Sequence, residues 1–247
     1  MLHKHYKDFS EAYFHLNRDI LLHPEQIDYM ENTRGVIEDL FITLDSIDCS
    51  GVDLAPLGYS PKKWDHLVKT YIDLGKLKEF YHLCEISKGI SVAFDFNRKT
   101  TGNGSCMREV ILTRNNRKKP WQKARVIWRA TELQKRWAAD LILLHHLLSK
   151  VPNCNLQEVE FYIVSAYQSG MYVIPLVESV FQVPMESLDP TKSPYWKIIR
   201  YRNQKYFQPD SPRQKLSPAW RMQDVANALR EGKSFTPITY KDFELEV

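Results

Sequence analysis

The sequence predicts an α+β chain, a mixed sheet flanked by helices in a single domain covering residues 1–247. Two observations carry this. Strand-like and helix-like stretches are interleaved without strict βαβ alternation, and no G-x-G-x-x-G occurs, which argues against a dinucleotide-binding parallel sheet. The 247 residues, 43% hydrophobic and 12% aromatic, suit one domain with a large packed core.

The elements follow in order. Residues 8–31 read as helical, with Phe9, Tyr13, Leu16 and Ile20 at spacings of three and four, until Pro24 interrupts the pattern. Residues 36–47 carry another apolar periodicity. The stretch from Asp53 to Pro61 is rich in turn formers. Residues 62–84 read as one helix, with Trp64, Leu67, Tyr71, Leu74 and Leu77 on a stripe. Ile90–Phe96 alternates as a strand does, Asn97–Ser105 is a polar loop, and Met107–Thr113 is a second strand. Arg114–Lys119 is a basic turn of the solvated kind, and Arg125–Trp128 is a third strand. Thr131–Lys150 reads as a strong helix and Val159–Ala166 as a fourth strand. A last helix is expected over 217–231, with Ser217 as N-cap, Pro218 at its first position and Gly232 just beyond its end.

Composition narrows the function classes. Near-average hydrophobic and charged fractions exclude a disordered or fibrous chain. No apolar run is long enough to span a membrane, and no signal-peptide core follows the N-terminus, so a cytoplasmic location is expected. A net charge of +4 suits a bound phosphate and is too weak to argue for a nucleic-acid coat. Cys49, Cys84, Cys106 and Cys154 lack CxxC pairing; free thiols are expected, with neither zinc nor a redox pair supported.

Two residues stand out for chemistry. Asp140 falls three after Trp137 and four before Leu144, at the edge of its helix's apolar stripe. A carboxylate there is costly unless hydrogen-bonded, so it is either a rim residue or a ligand-binding one. Cys106 lies between a polar loop and a strand, with Arg98, Lys99 and Arg108 nearby to favour a thiolate. It reads either as an inert core thiol or as a nucleophile. His145-His146 lacks a third ligand at suitable spacing for a metal site.

In order along residues 32–167, these features resemble the thymidylate synthases and the related pyrimidine-nucleotide hydroxymethylases. Asn32-Thr33-Arg34-Gly35 resembles that family's Arg-containing phosphate loop. Pro56-Leu57, Lys62-Lys63 and a helix reaching Asp73 resemble its "PL…KK…EL" segment, which puts Asp73 at the catalytic Glu. Lys88 resembles the basic residue lent to the partner subunit's phosphate site, and Cys106 falls at the nucleophile. Arg129-Ala130-Thr131-Glu132 resembles R-S-x-D, whose Arg binds phosphate, and Asp140 follows Arg129 by 11 residues, the family's spacing to the base reader. Ser165-Ala166-Tyr167 resembles the H-x-Y that holds the ribose. Phe243–Val247 resembles the apolar tail that closes over the folate, with Val247 at its end. The family's Pro-Cys-His is here Ser105-Cys106-Met107, its Glu is Asp73, the Asp of R-S-x-D is Glu132 and the His of H-x-Y is Ser165.

The resemblance implies a thymidylate-synthase-like homodimer that uses 5,10-methylenetetrahydrofolate on a pyrimidine nucleoside monophosphate. Cys106, Asp73 and Glu132 would be catalytic, and Arg34, Lys88, Arg129, Asp140, Ser165 and Tyr167 would bind substrate. Thiolate addition to carbon 6 makes carbon 5 enolate-like, able to attack a one-carbon unit. An Asn at the base-reading position matches uracil with one donor and one acceptor, whereas Asp matches cytosine. Asp140 therefore implies carbon 5 hydroxymethylation of a cytidine or deoxycytidine monophosphate. Two alternatives stay open: methylation of a uridine monophosphate, and a non-catalytic nucleotide- or nucleic-acid-binding protein that keeps the fold.

Overall fold

A computed structural model describes residues 2–22, 28–30, 34–55, 57, 59–96, 106–168, 231, 239–243 and 245; for 18–22, 28–30, 34, 35 and 168 it describes the backbone alone. Among the described residues, seven strands form one mixed sheet. Its path runs β1 (Leu2–Tyr6), β3 (Arg34–Leu44), β7 (Cys154–Gln168), β6 (Trp121–Glu132), β5 (Met107–Thr113) and β4 (Ser91–Asp95), and the short β2 (Asp28–Met30) also pairs with β3. The pairs β1–β3 and β6–β7 are parallel, and the remaining pairs are antiparallel. Among the described residues four α-helices accompany it: α1 (Phe9–Leu22), α2 (Pro61–Tyr71), α3 (Leu74–Ile86) and α4 (Arg136–Ser149). The expected α+β class with a mixed sheet is the one observed.

Several expected elements change their bounds for local reasons. The periodicity of 36–47 resolves as β3, in which buried Leu40, Ile42 and Leu44 alternate with less buried Phe41 and Thr43. Asp39 interrupts that strand with φ 53°, a left-handed conformation that Asp tolerates better than most residues, and its carboxylate accepts from the Tyr162 hydroxyl at 2.7 Å. The single helix expected over 62–84 is two. α2 ends at Tyr71, and Asp73 starts α3 by accepting from the amides of Gly75 and Lys76. The helix expected from Thr131 begins five residues later, because Thr131 and Glu132 still pair with Ala166 and Tyr167 in the sheet. The expected helix over 217–231 lies outside the described residues, apart from Glu231.

One face of the sheet makes the core. Leu40, Ile42, Leu44, Val110, Leu112, Ala124, Val126, Trp128, Val159, Phe161 and Ile163 are all fully buried on it. α4 lies within that core: every residue from Trp137 to Leu144 is buried, the pattern of a helix surrounded by protein. The other face carries the ion pairs Lys123–Glu158 and Arg125–Glu160, with partly exposed Phe41, Ile111, Ile127 and Tyr162 and exposed Val164. No helix among the described residues is long and apolar enough to cross a membrane.

The basic turn is not wholly solvated. Arg114 is 8% exposed, its guanidinium donates to the carbonyls of Ser87, Gly89 and Lys119, and it stacks on Trp121 at 4.1 Å. It pins the α3–β4 loop to the β5–β6 turn. Arg114→Ala is expected to destabilise the fold by about 2–4 kcal/mol, since several charge-assisted hydrogen bonds and a ring contact vanish together. Arg114→Lys should rescue little, because an ammonium cannot reproduce the planar fork. Urea denaturation measures both, and a loss below about 1 kcal/mol for Arg114→Ala would remove the clamp from the account.

Candidate active site around Cys106 and Asp140

Cys106 is held at the head of β5. Its carbonyl accepts from the Arg129 amide at 2.9 Å, and the next residue, Met107, pairs with Trp128. This register sets the thiol beside β6, where Trp128 turns its indole into the core. The Trp128 Nε1–H donates to Oδ2 of Asp140 at 3.3 Å, so α4 lies with its second turn over that strand. Asp140 has no exposed surface, which excludes the rim reading. Its other oxygen, Oδ1, has no hydrogen-bond partner among the described residues.

Two further side chains complete the cluster. Arg136, at the start of α4, donates from Nε to the Tyr71 hydroxyl at 3.1 Å, with its guanidinium 5.1 Å from the Tyr71 ring centre. Tyr71, at the end of α2, is also a neighbour of Cys106 and Asp140, and buried Tyr59 is a neighbour of Arg136. A helix begun at Thr131 would have placed Arg136 mid-helix; the observed start depends on Glu132. Its carboxylate accepts from the amides of Gln134, Lys135 and Arg136 at 2.7–3.2 Å and so anchors the amino end of α4.

The electrostatics follow from burial. Desolvation pushes the Asp140 carboxyl up to about 7, against the pull of Arg136 and of hydrogen bonds from Trp128 and Tyr71. The Cys106 thiol is also pushed up, first by burial and then by the charge of Asp140, while Arg136, Arg129 and Tyr71 draw it back down. Burial raises Tyr71 and Tyr59 well above the phenol range, so both remain protonated. Arg136 is driven further towards its charged form, with Asp140 the largest favourable influence. The cluster thus contains one permanent cation, one carboxyl near its midpoint at neutral pH, one thiol and two phenols. That set can present a sulfur nucleophile, hold a polar ring edge and move a proton. The other thiols are in apolar surroundings: burial takes Cys49 and Cys84 up to about 12 and Cys154 to about 11.

The remaining candidates are placed as follows. Arg129 is exposed at the rim of the cluster and acts on Cys106 through its charge. Tyr167 is half-buried opposite Glu132, and Ser165 is half-buried opposite Ala130. Asp73 is not among the groups that act on Cys106; its exposed carboxylate is engaged at the amino end of α3. The Glu132 carboxylate is engaged at the amino end of α4. Lys88 is exposed in the loop between α3 and β4. Arg34 opens β3 opposite Met30, and its side chain lies outside the described residues, as does Val247. In the C-terminal segment, Phe243 stacks on Trp64 at 4.2 Å, Leu245 is buried, and Lys150 donates to the Leu245 carbonyl.

Sequence reasoning missed Arg136, Tyr59 and Trp128 as site residues and took Tyr71 only as part of a core stripe. One signal was present: Arg136 precedes Asp140 by four residues, the spacing at which opposite charges meet on a helix. Compared with known proteins, the chain matches no family model and no curated protein.

Proposed function

We propose that the chain hydroxymethylates carbon 5 of a cytidine or deoxycytidine monophosphate with methylenetetrahydrofolate, through a covalent adduct on Cys106. One observation carries this reading: half-buried Cys106 and fully buried Asp140, which the thymidylate synthase resemblance makes nucleophile and base reader, act on one another despite their separation in sequence.

The Asp140 carboxyl supports cytosine in particular. Trp128 donates to Oδ2, which leaves the proton of the neutral acid to Oδ1. A neutral acid so oriented donates from Oδ1 to N3 of cytosine and accepts from its amino group at Oδ2. Uracil reverses both roles. Cys106 Sγ would add to carbon 6, Arg136 would balance the thiolate, and the Tyr71 hydroxyl would carry a proton at the ring. Arg129 at the rim suits the phosphate dianion, with Arg34 and a partner's Lys88 as the resemblance adds. Methylenetetrahydrofolate, when bound, supplies the one-carbon unit. The apolar segment of Phe243 and Leu245, beside a Trp64 whose buried N–H has no partner among the described residues, suits a flat aromatic ring with polar edges. The half-exposed apolar side chains on the outer sheet face support a homodimer.

A second reading, a non-catalytic nucleotide- or nucleic-acid-binding protein, draws on the raised thiol and on Asp73 being a helix cap. Mass spectrometry of nucleotides after incubation with methylenetetrahydrofolate and each pyrimidine monophosphate separates these readings. The expected product is a hydroxymethylated cytidylate. A methylated uridylate would transfer the assignment to the synthase reaction, and unmodified nucleotides with retained binding would favour the binder.

A further inference from the structure

Arg114 gathers two loops into one corner, at the end of β5 opposite Cys106. Its guanidinium holds the carbonyls of Ser87 and Gly89, on either side of Lys88, together with that of Lys119. Its amide donates to the Ile90 carbonyl at 3.1 Å. The turn is itself ordered: Asn116 accepts from the Lys118 amide through its side chain and from the Lys119 amide through its carbonyl, both at 3.0 Å. Lys88, Arg117, Lys118 and Lys119 are exposed there, and none of them makes an ion pair among the described residues. Segments 86–94 and 110–131 contain no Asp or Glu; Glu85 is the nearest acid along the chain. The same corner holds large apolar side chains in water. Leu83 and Ile86, three residues apart on α3, are 42% and 55% exposed, and Ile90, in the loop before β4, is 58% exposed. One such residue is ordinary, whereas three beside four cations on a pinned frame mark an interaction surface.

We propose that this corner docks on an anionic phospholipid surface, with Ile86 and Ile90 entering the acyl boundary and Lys88, Arg117, Lys118 and Lys119 meeting the headgroups. Charge complementarity calls for an acidic partner. The make-up of the patch selects lipid among acidic partners. Protein interfaces are depleted in lysine at their core and anchored by aromatic side chains, and single-stranded nucleic acid stacks on aromatic rings. Here three of the four cations are lysines and the exposed apolar members are aliphatic. Trp121, the ring against Arg114, is fully buried. Lysine stems lying along apolar surface with their ammonium heads among phosphates suit a headgroup layer. The seven residues of β5, about 20 Å, separate this corner from Cys106, more than the shallow depth at which interfacial side chains insert. Docking here therefore leaves the candidate site clear of the bilayer. Lys88 gains a second candidate anion, besides the nucleotide phosphate that the resemblance gives it.

The test is co-sedimentation of the full chain with vesicles of phosphatidylcholine alone and of phosphatidylcholine with phosphatidylserine. Binding is expected to the second alone and should weaken as salt rises. Lys118→Ala combined with Lys119→Ala should lower affinity about 25-fold, at about fivefold for each cation near the surface. Lys7→Ala combined with Lys69→Ala, two exposed lysines elsewhere, should leave it unchanged. Ile86→Ser combined with Ile90→Ser should weaken binding by about tenfold or more, with a urea midpoint close to that of wild type because both side chains are mostly exposed. Equal binding to both vesicle types, binding to neither, full binding by the isoleucine variant, or the same loss from the Lys7 and Lys69 pair would overturn the proposal. A chain that ignores both vesicle types yet binds an RNA oligonucleotide or polyglutamate through Lys118 and Lys119 would also overturn it, and would give the corner to that partner instead.

Discussion

Asp140→Asn is expected to stabilise the protein by about 4 kcal/mol at pH 8 and by nothing at pH 4. Burial raises this carboxyl from 3.8 to about 7. Below pH 4 it is neutral both folded and unfolded, and its native environment costs no ionisation energy. Between pH 4 and 7 the unfolded chain releases the proton while the folded one keeps it. Stability then falls with rising pH, by about 1.4 kcal/mol for each unit of difference, and the loss is complete above the folded value. Asn does not titrate, so the variant escapes this loss. Urea unfolding across pH 4–8 measures it, and a wild-type-minus-variant difference that stays flat with pH would show that Asp140 is not held neutral by burial. A buried carboxyl retained at a cost to fold stability is what a group kept for a ligand produces.

Cys106→Ala is expected to lower hydroxymethyl transfer by roughly 10⁴-fold or more, since no other described thiol acts within the cluster and a lost nucleophile removes the covalent route. Nucleotide binding should persist, because the groups assigned to base and phosphate remain. Cys106 is only half-buried, so the small side-chain loss should cost stability little, about 1 kcal/mol. The measurement is tritium release from carbon 5 of labelled nucleotide, alongside nucleotide affinity and the urea midpoint. Turnover near that of wild type in a folded variant would sink the covalent mechanism.

Much of the fold was legible because it follows from short-range pattern. The β5 bounds, Met107–Thr113, and the core of β4 follow from alternation of apolar residues. The start of α1 follows from the spacing of Phe9, Tyr13 and Leu16, and the structure adds that Asp8 accepts from the Glu11 amide while Glu11 accepts from that of Lys7. β6 was legible only over Arg125–Trp128. Its ends, Trp121–Ala124 and Arg129–Glu132, are strand because β7 runs beside them in parallel register, a partner distant in sequence that no local window contains. The same long-range pairing moved the start of α4.

By itself the sequence determined a mixed α+β chain, a thiol at the head of a strand and a carboxyl on an apolar helix face. Their meeting was decided by tertiary structure. A carboxyl on a helix stripe is equally compatible with a rim and a core, and only the packing of α4 within the core removed its water. Asp73 and Glu132 look like reactive carboxylates in sequence, yet the unpaired amides at two helix starts claim them. Arg136 and Tyr71 look like a surface cation and a core aromatic. They become a site because the end of α2 and the start of α4 meet, where the Arg136 Nε donates to the Tyr71 hydroxyl one helical turn before Asp140.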